Sequence, residues 1–249
     1  AGSSENTFTY ALKEGTLASN YEITTANGTL TVEAVKTEVK VEITGHTDTV
    51  TYDGQVHSVS GYDVTKISNK LYSDTAISFT GTAVVSRIVA GTSYMGLTAA
   101  QFSNTSANFT NVTFIIEDGS LKITPKSINP EDEKTGIQVT KPDDTMYNGE
   151  EQKNKPTVED TKTGATLVEN VDYTLSYTAA VNAGTVEVTI TGIGNYTGTV
   201  TRTYEITPKA YTVTTDSAKK VYDGTALTAG GKIEGIVSGE TVEFTTTGS

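Results

Sequence analysis

Apolar and polar residues alternate in short runs along most of this chain. In Val39-Lys40-Val41-Glu42-Ile43-Thr44 every second side chain is apolar. The same rhythm marks Leu121-Lys122-Ile123-Thr124, Tyr173-Thr174-Leu175-Ser176-Tyr177 and Val186-Glu187-Val188-Thr189-Ile190. A period of two predicts strands with one dry face and one wet face. Between the runs stand Asn27-Gly28, Asp53-Gly54, Asp118-Gly119, Asn148-Gly149 and Asp223-Gly224. These dipeptides suit tight hairpin turns, in which both central residues take positive φ. The five prolines, at 125, 130, 142, 156 and 208, fall between the strand patterns or at their ends, where no ladder N–H is needed. One short helix of about one to two turns is predicted near 98–103, because Thr98-Ala99-Ala100-Gln101 has capping-box spacing and would turn Phe102 toward the core.

Three of the turns share a tyrosine: Tyr52-Asp53-Gly54, Tyr147-Asn148-Gly149 and Tyr222-Asp223-Gly224. Each opens a segment. The first segment closes on Asn108-Phe109 and Leu121-Lys122-Ile123-Thr124-Pro125, the second on Asn195-Tyr196 and Tyr204-Glu205-Ile206-Thr207-Pro208. The third has no closing half after it, but the chain starts with one: Ala1-Gly2, Asn20-Tyr21, then Asn27-Gly28-Thr29-Leu30-Thr31-Val32. An internal repeat is therefore expected, with complete domains at 35–126 and 127–209, the C-terminal half of a domain at 1–34 and the N-terminal half at 210–249. The expected natural period is about 250–260 residues, three domains long. The short junctions Thr124-Pro125-Lys126-Ser127 and Thr207-Pro208-Lys209-Ala210 favour an extended rod.

Composition narrows the function. The 249 residues suffice for about two domains of ordinary size. Hydrophobic content is 35%, with no Trp and two Met, so small cores are expected rather than one large one. The net charge is −12, and no basic patch could follow a phosphate backbone, which disfavours nucleic acid. Cysteine is absent, which excludes disulfides, thiolate metal sites and Cys nucleophiles. No apolar run approaches the roughly 18 residues needed to span a bilayer, so no membrane insertion is expected of this segment. No signal peptide or sorting tail is recognisable.

Candidate chemistry is sparse. His46 and His57 are the only histidines. In Gln55-Val56-His57-Ser58-Val59 the alternation is taken to place His57 on the polar face, away from any catalytic partner. A glycosidase-like carboxylate pair would need a cleft deeper than such short units offer. The acidic positions Glu131, Asp132, Glu133, Asp143 and Asp144 could be offered to calcium, but no Asp-x-Asp-x-Asp-Gly loop is present, and a solvated face accounts for them. The Asn-x-Ser/Thr sequons at Asn27, Asn104, Asn108, Asn111 and Asn195 are expected by chance in so Thr-rich a chain. No enzyme activity and no cofactor are expected. The three Tyr-Asx-Gly motifs are read as structural turns.

Val221-Tyr222-Asp223-Gly224-Thr225, Gly194-Asn195-Tyr196-Thr197-Gly198-Thr199 and Tyr204-Glu205-Ile206-Thr207-Pro208 resemble the YDG/MBG-type and related Ig-like tandem repeats of Gram-positive (Firmicutes) cell-surface adhesin-like proteins. Val171-Asp172-Tyr173-Thr174-Leu175-Ser176-Tyr177, followed by Asn182-Ala183-Gly184-Thr185, looks like the same group. The resemblance covers essentially the whole chain; Asn148 is a departure that the turn tolerates. It implies an extracellular protein of the bacterial surface or cell wall and offers no catalytic residues to carry over. Stalk domains of this kind sometimes carry a Lys–Asn isopeptide bond with an acidic catalyst, but no motif here selects such a triplet.

The expected fold is all-β: tandem small Ig-like β-sandwich domains in an extended rod, with β-grasp-like units carrying one short helix as the alternative. The expected function is a structural stalk that projects a binding tip. Two alternatives are direct binding of a host ligand (mucin glycan, matrix protein or immunoglobulin) and head-to-tail self-association through the complementary half domains. Neighbouring repeats of the same protein are the first partners expected.

Overall fold

The structure is a computed structural model and describes residues 1–132 and 135–247. The chain is all-β. Its only helical pieces among the described residues are single 3-10 turns at Ala18–Asn20, Asp74–Ala76 and Ala99–Gln101. The helix expected near 98–103 is thus one turn. Gln101 caps it by accepting the Thr98 N–H through Oε1 at 2.7 Å. Phe102 is buried, as expected, but it leaves the turn at once to start the strand Phe102–Asn104. Three residues form too small a nucleus to propagate a helix.

Two compact units are present. One comprises Ala1–Val50 with Val56–Ile123, the other Thr51–Gln55 with Thr124–Ser249.

In the first unit Val39–Gly45 is the middle strand of three. It pairs parallel with Val112–Glu117 and antiparallel with Tyr62–Ile67. Val39, Val41 and Ile43 are buried while Lys40 is exposed, so the period-2 pattern maps directly onto the sheet. They meet Tyr72, Phe102 and Phe109 in one core. A second sheet has Ser120–Thr124 between Thr47–Thr51 and Gly91–Tyr94, with Leu121 and Ile123 fully buried. In the same unit Gly2–Asn6 and Gly28–Val32 form a two-stranded antiparallel pair with every residue exposed.

The second unit carries a four-stranded sheet in the order Thr145–Met146, Thr199–Thr207, Gly184–Gly192, Tyr173–Tyr177. Beside it lies a three-stranded sheet, Ile137–Val139, Val158–Asp160, Ala165–Thr166. Val188, Ile190, Ile128 and Val158 are fully or almost fully buried in one cluster, and Val186, Tyr204 and Ile206 in another. Each such side chain contributes about 1.5–3 kcal/mol by leaving water. The pair Thr212–Thr215 and Gly231–Glu234 completes the unit.

One sequence expectation fails in a uniform way. Gly54, Gly149 and Gly224 do take positive φ, but Gly28 and Gly119 do not, and Asn170 is the only described non-glycine residue that does. None of the five Asx-Gly pairs is therefore the tight turn with two positive-φ residues. The reason lies in the Asx side chain, which takes over the work of the turn in the three tyrosine motifs described next.

Candidate functional site

The three Tyr-Asx-Gly motifs are superposable in their hydrogen bonding. Asp53 Oδ1 accepts the Gln55 N–H at 2.9 Å, Asn148 Oδ1 the Glu150 N–H at 2.8 Å, and Asp223 Oδ1 the Thr225 N–H at 3.0 Å. The following glycines have φ of +79°, +82° and +81°. An Asx side chain bonding the N–H two residues on forms a turn by itself, and only the glycine then needs the left-handed region. Aspartate and asparagine serve equally because each presents the same acceptor oxygen.

The tyrosines have different fates. Tyr52 N–H donates to the Thr124 carbonyl at 2.9 Å, and Tyr147 N–H to the Thr207 carbonyl at 2.9 Å. Both acceptors are the threonine before the proline that ends a closing strand. The Tyr52 ring packs edge-on to Tyr196, with centroids 5.6 Å apart. The Tyr147 hydroxyl hydrogen-bonds Glu240, and that bond, with some burial, holds the phenol above its ordinary range. Tyr222 is 93% exposed. The Lys220 ammonium reaches Asp223 Oδ1 at 2.8 Å and lowers the carboxyl's pKa.

A feature that sequence reasoning missed lies at the start of the second unit. Lys126 and Asp160 form a buried ion pair, with Nζ 2.7 Å from Oδ1 and 2.6 Å from Oδ2. The side chains are 5% and 0% exposed. The Tyr196 hydroxyl donates to Asp160 Oδ2 at 3.2 Å, and the Lys162 N–H to Oδ1 at 3.0 Å. Burial, then the Asp160 charge, raises the Tyr196 phenol far above its ordinary value. The carboxylate is thus fully satisfied, and no buried side-chain polar atom among the described residues lacks a partner. The signal was present: alternation puts Asp160 on the inward face with Val158, and Lys126 in phase with Ile128, so each charge sits where an apolar residue is expected.

A cavity of about 500 Å³ adjoins this cluster, lined among others by Tyr52, Asp53, Lys126, Ser127, Asp132 and Lys162. Asp132 is engaged by the Ser127 hydroxyl and by Asn129. The walls carry both signs of charge.

The remaining candidates are separate. His46 is held by the Ser60 carbonyl through Nδ1 at 2.7 Å and lies 3.3 Å from Asp63 through Nε2. His57 is not on the polar face as expected. The strand begins at His57 and leaves Val56 exposed outside it, so His57 shares the half-buried side with Val59, in register with Arg87 and Val85. Asp144 accepts the Glu205 N–H at 2.8 Å and pairs with Lys141, whose hydrogen bond lowers its pKa. Glu133 of the acidic run lies outside the described residues. Among the described residues, no three His, Asp or Glu side chains gather as a metal site. No protein-family model, curated protein or solved structure matches this chain.

Proposed function

We propose that this chain is a structural stalk segment of an extracellular bacterial surface or cell-wall protein, adhesin-like, whose units space a binding tip away from the cell. The observation that carries the reading is the triple use of one turn. The same Asx bond and the same glycine φ recur three times, while no chemistry recurs with them. A repeated binding site would present the motif's tyrosine alike in every copy; here it is packed, hydrogen-bonded and exposed in turn. Repeated scaffold with unrepeated surface fits a spacer whose stability is roughly additive over its units. The absence of cysteine and the net charge of −12 suit a disulfide-free, well-solvated surface rod. Within this reading each unit is a small Ig-like sandwich of short, separately paired sheets.

Small-angle scattering on one, two and three tandem copies tests it. The maximum dimension should grow in proportion to copy number. A dimension that levels off, as the copies fold back into a globule, overturns the stalk. Saturable binding of the single chain to mucin, matrix protein or immunoglobulin in surface plasmon resonance would favour direct recognition instead.

A further inference from the structure

Gly2–Asn6 and Gly28–Val32 are paired in the register of Gly91–Tyr94 and Ser120–Thr124. Gly2 faces Val32 as Gly91 faces Ile123, and Ser4 faces Leu30 as Ser93 faces Leu121. The environments differ sharply. Leu121 and Ile123 are 0% and 1% exposed, whereas Leu30 and Val32 are 54% and 69% exposed. One cause is the neighbouring strand. Ser120–Thr124 is covered on its second edge by Thr47–Thr51, which leads into Tyr52-Asp53-Gly54. Gly28–Val32 belongs to a sheet of two strands and has no strand on that edge among the described residues.

The strand of the covering type is elsewhere in the sequence. In both filled cases it directly precedes a Tyr-Asx-Gly turn, and the tyrosine N–H donates to the residue after the closing strand's last isoleucine. Residues 217–221, ahead of Tyr222, stand in that position, lie in no described strand, and leave Val221 and Tyr222 almost fully exposed.

We propose that residues 217–222 of one copy of this chain add as a strand to the free edge of Gly28–Val32 in a second copy. The register of Thr145 with Ile206 and Met146 with Thr207 sets the alignment: Lys220 lies beside Val32, Val221 beside Glu33, and the Tyr222 N–H donates to the Glu33 carbonyl. Strand addition satisfies the edge's unpaired backbone groups and covers the exposed Leu30 and Val32. Donor and acceptor are different surfaces, so the contact is heterologous and propagates head to tail.

Sedimentation equilibrium of the full chain tests this. The weight-average mass should rise with concentration above that of one chain. Val32→Lys places a like charge beside Lys220 of the incoming strand; Tyr222→Pro removes the donated N–H. Both positions are exposed, and neither contributes to a core, so each variant keeps its own fold. Each alone should stay at the mass of one chain. An equimolar mixture should give a heterodimer and stop there, through the one intact donor and the one intact acceptor. A wild-type mass fixed at one chain up to roughly 1 mM, association that survives either substitution, or a mixture that does not dimerise overturns the proposal.

Discussion

In the first unit the segment before the opening strand bridges the closing segment through Val35 and Phe109; in the second the matching bridge is Lys126 with Tyr196. The backbone bonds correspond one to one: Val35 N–H to Asn108 carbonyl at 2.8 Å, Lys126 N–H to Asn195 carbonyl at 2.9 Å. The third member also corresponds, since Ile67 pairs with Val41 much as Asp160 pairs with Ile137. One corner is therefore Val, Phe and Ile; the other is Lys, Tyr and Asp. The frame is indifferent to the choice because it is set by main-chain bonds and Asx turns. What the polar version adds is direction. A buried ion pair is seldom worth more than well-packed hydrophobic residues of similar volume, because desolvation offsets the attraction. It does, however, penalise any arrangement that parts the charges, which makes the second corner the more exacting one.

The strongest way to break the comparison is to remove one partner. Lys126→Ala or Asp160→Ala should destabilise the second unit by about 3–5 kcal/mol, since a buried charge is left alone. Faster hydrogen exchange across 126–206, with 39–117 unchanged, is the measurement. Alkali should produce the next largest effect. Burial pushes the Tyr177 phenol of the second unit up to about 12 and raises Tyr173 and Tyr196 as well; in the first unit burial raises Tyr72. A phenol whose folded pKa exceeds its unfolded value near 10 contributes stability that is whole below pH 10 and lost as pH climbs toward the folded value. The Tyr177 share is on the order of 2 kcal/mol. A pH series of thermal melts should therefore show the second unit failing first above about pH 10; equal loss in both units would contradict it.

Asn148→Ala removes one turn acceptor and should cost about 0.5–1.5 kcal/mol, the net worth of one hydrogen bond. Asn148→Asp should cost nothing measurable, because Asp53 and Asp223 already make the same bond. A small change is also expected from rewriting the polar corner as the apolar one. Lys126→Val with Asp160→Ile and Tyr196→Phe should destabilise by no more than about 1 kcal/mol, as read by urea midpoint. A loss as large as that of Lys126→Ala would show that the two corners are not interchangeable.

Alternation made the strands legible in the sequence. Val39–Gly45 and Gly184–Gly192 follow it almost residue by residue, because one face of each is buried and the other wet. The Asx-Gly turns were legible as turns but not in type, since composition cannot say whether the side chain or a second left-handed residue closes the loop. The buried pair was not read at all. Lys126 stood in what looked like a linker and Asp160 was not singled out, and only the register with Tyr196 and Ile137 brings them together. His57 misled because the strand starts one residue later than the apolar pattern suggests.

The parallel pairing of Val39–Gly45 with Val112–Glu117 has a kinetic consequence. Thr44 and Glu117, adjacent in that ladder, are 73 residues apart in the chain. No local hairpin can form this contact in advance, so a large loop must be closed before the central sheet of the unit gains its third strand. The central sheet of the unit is therefore completed only after Val112–Glu117 has been synthesised, well after its other two strands.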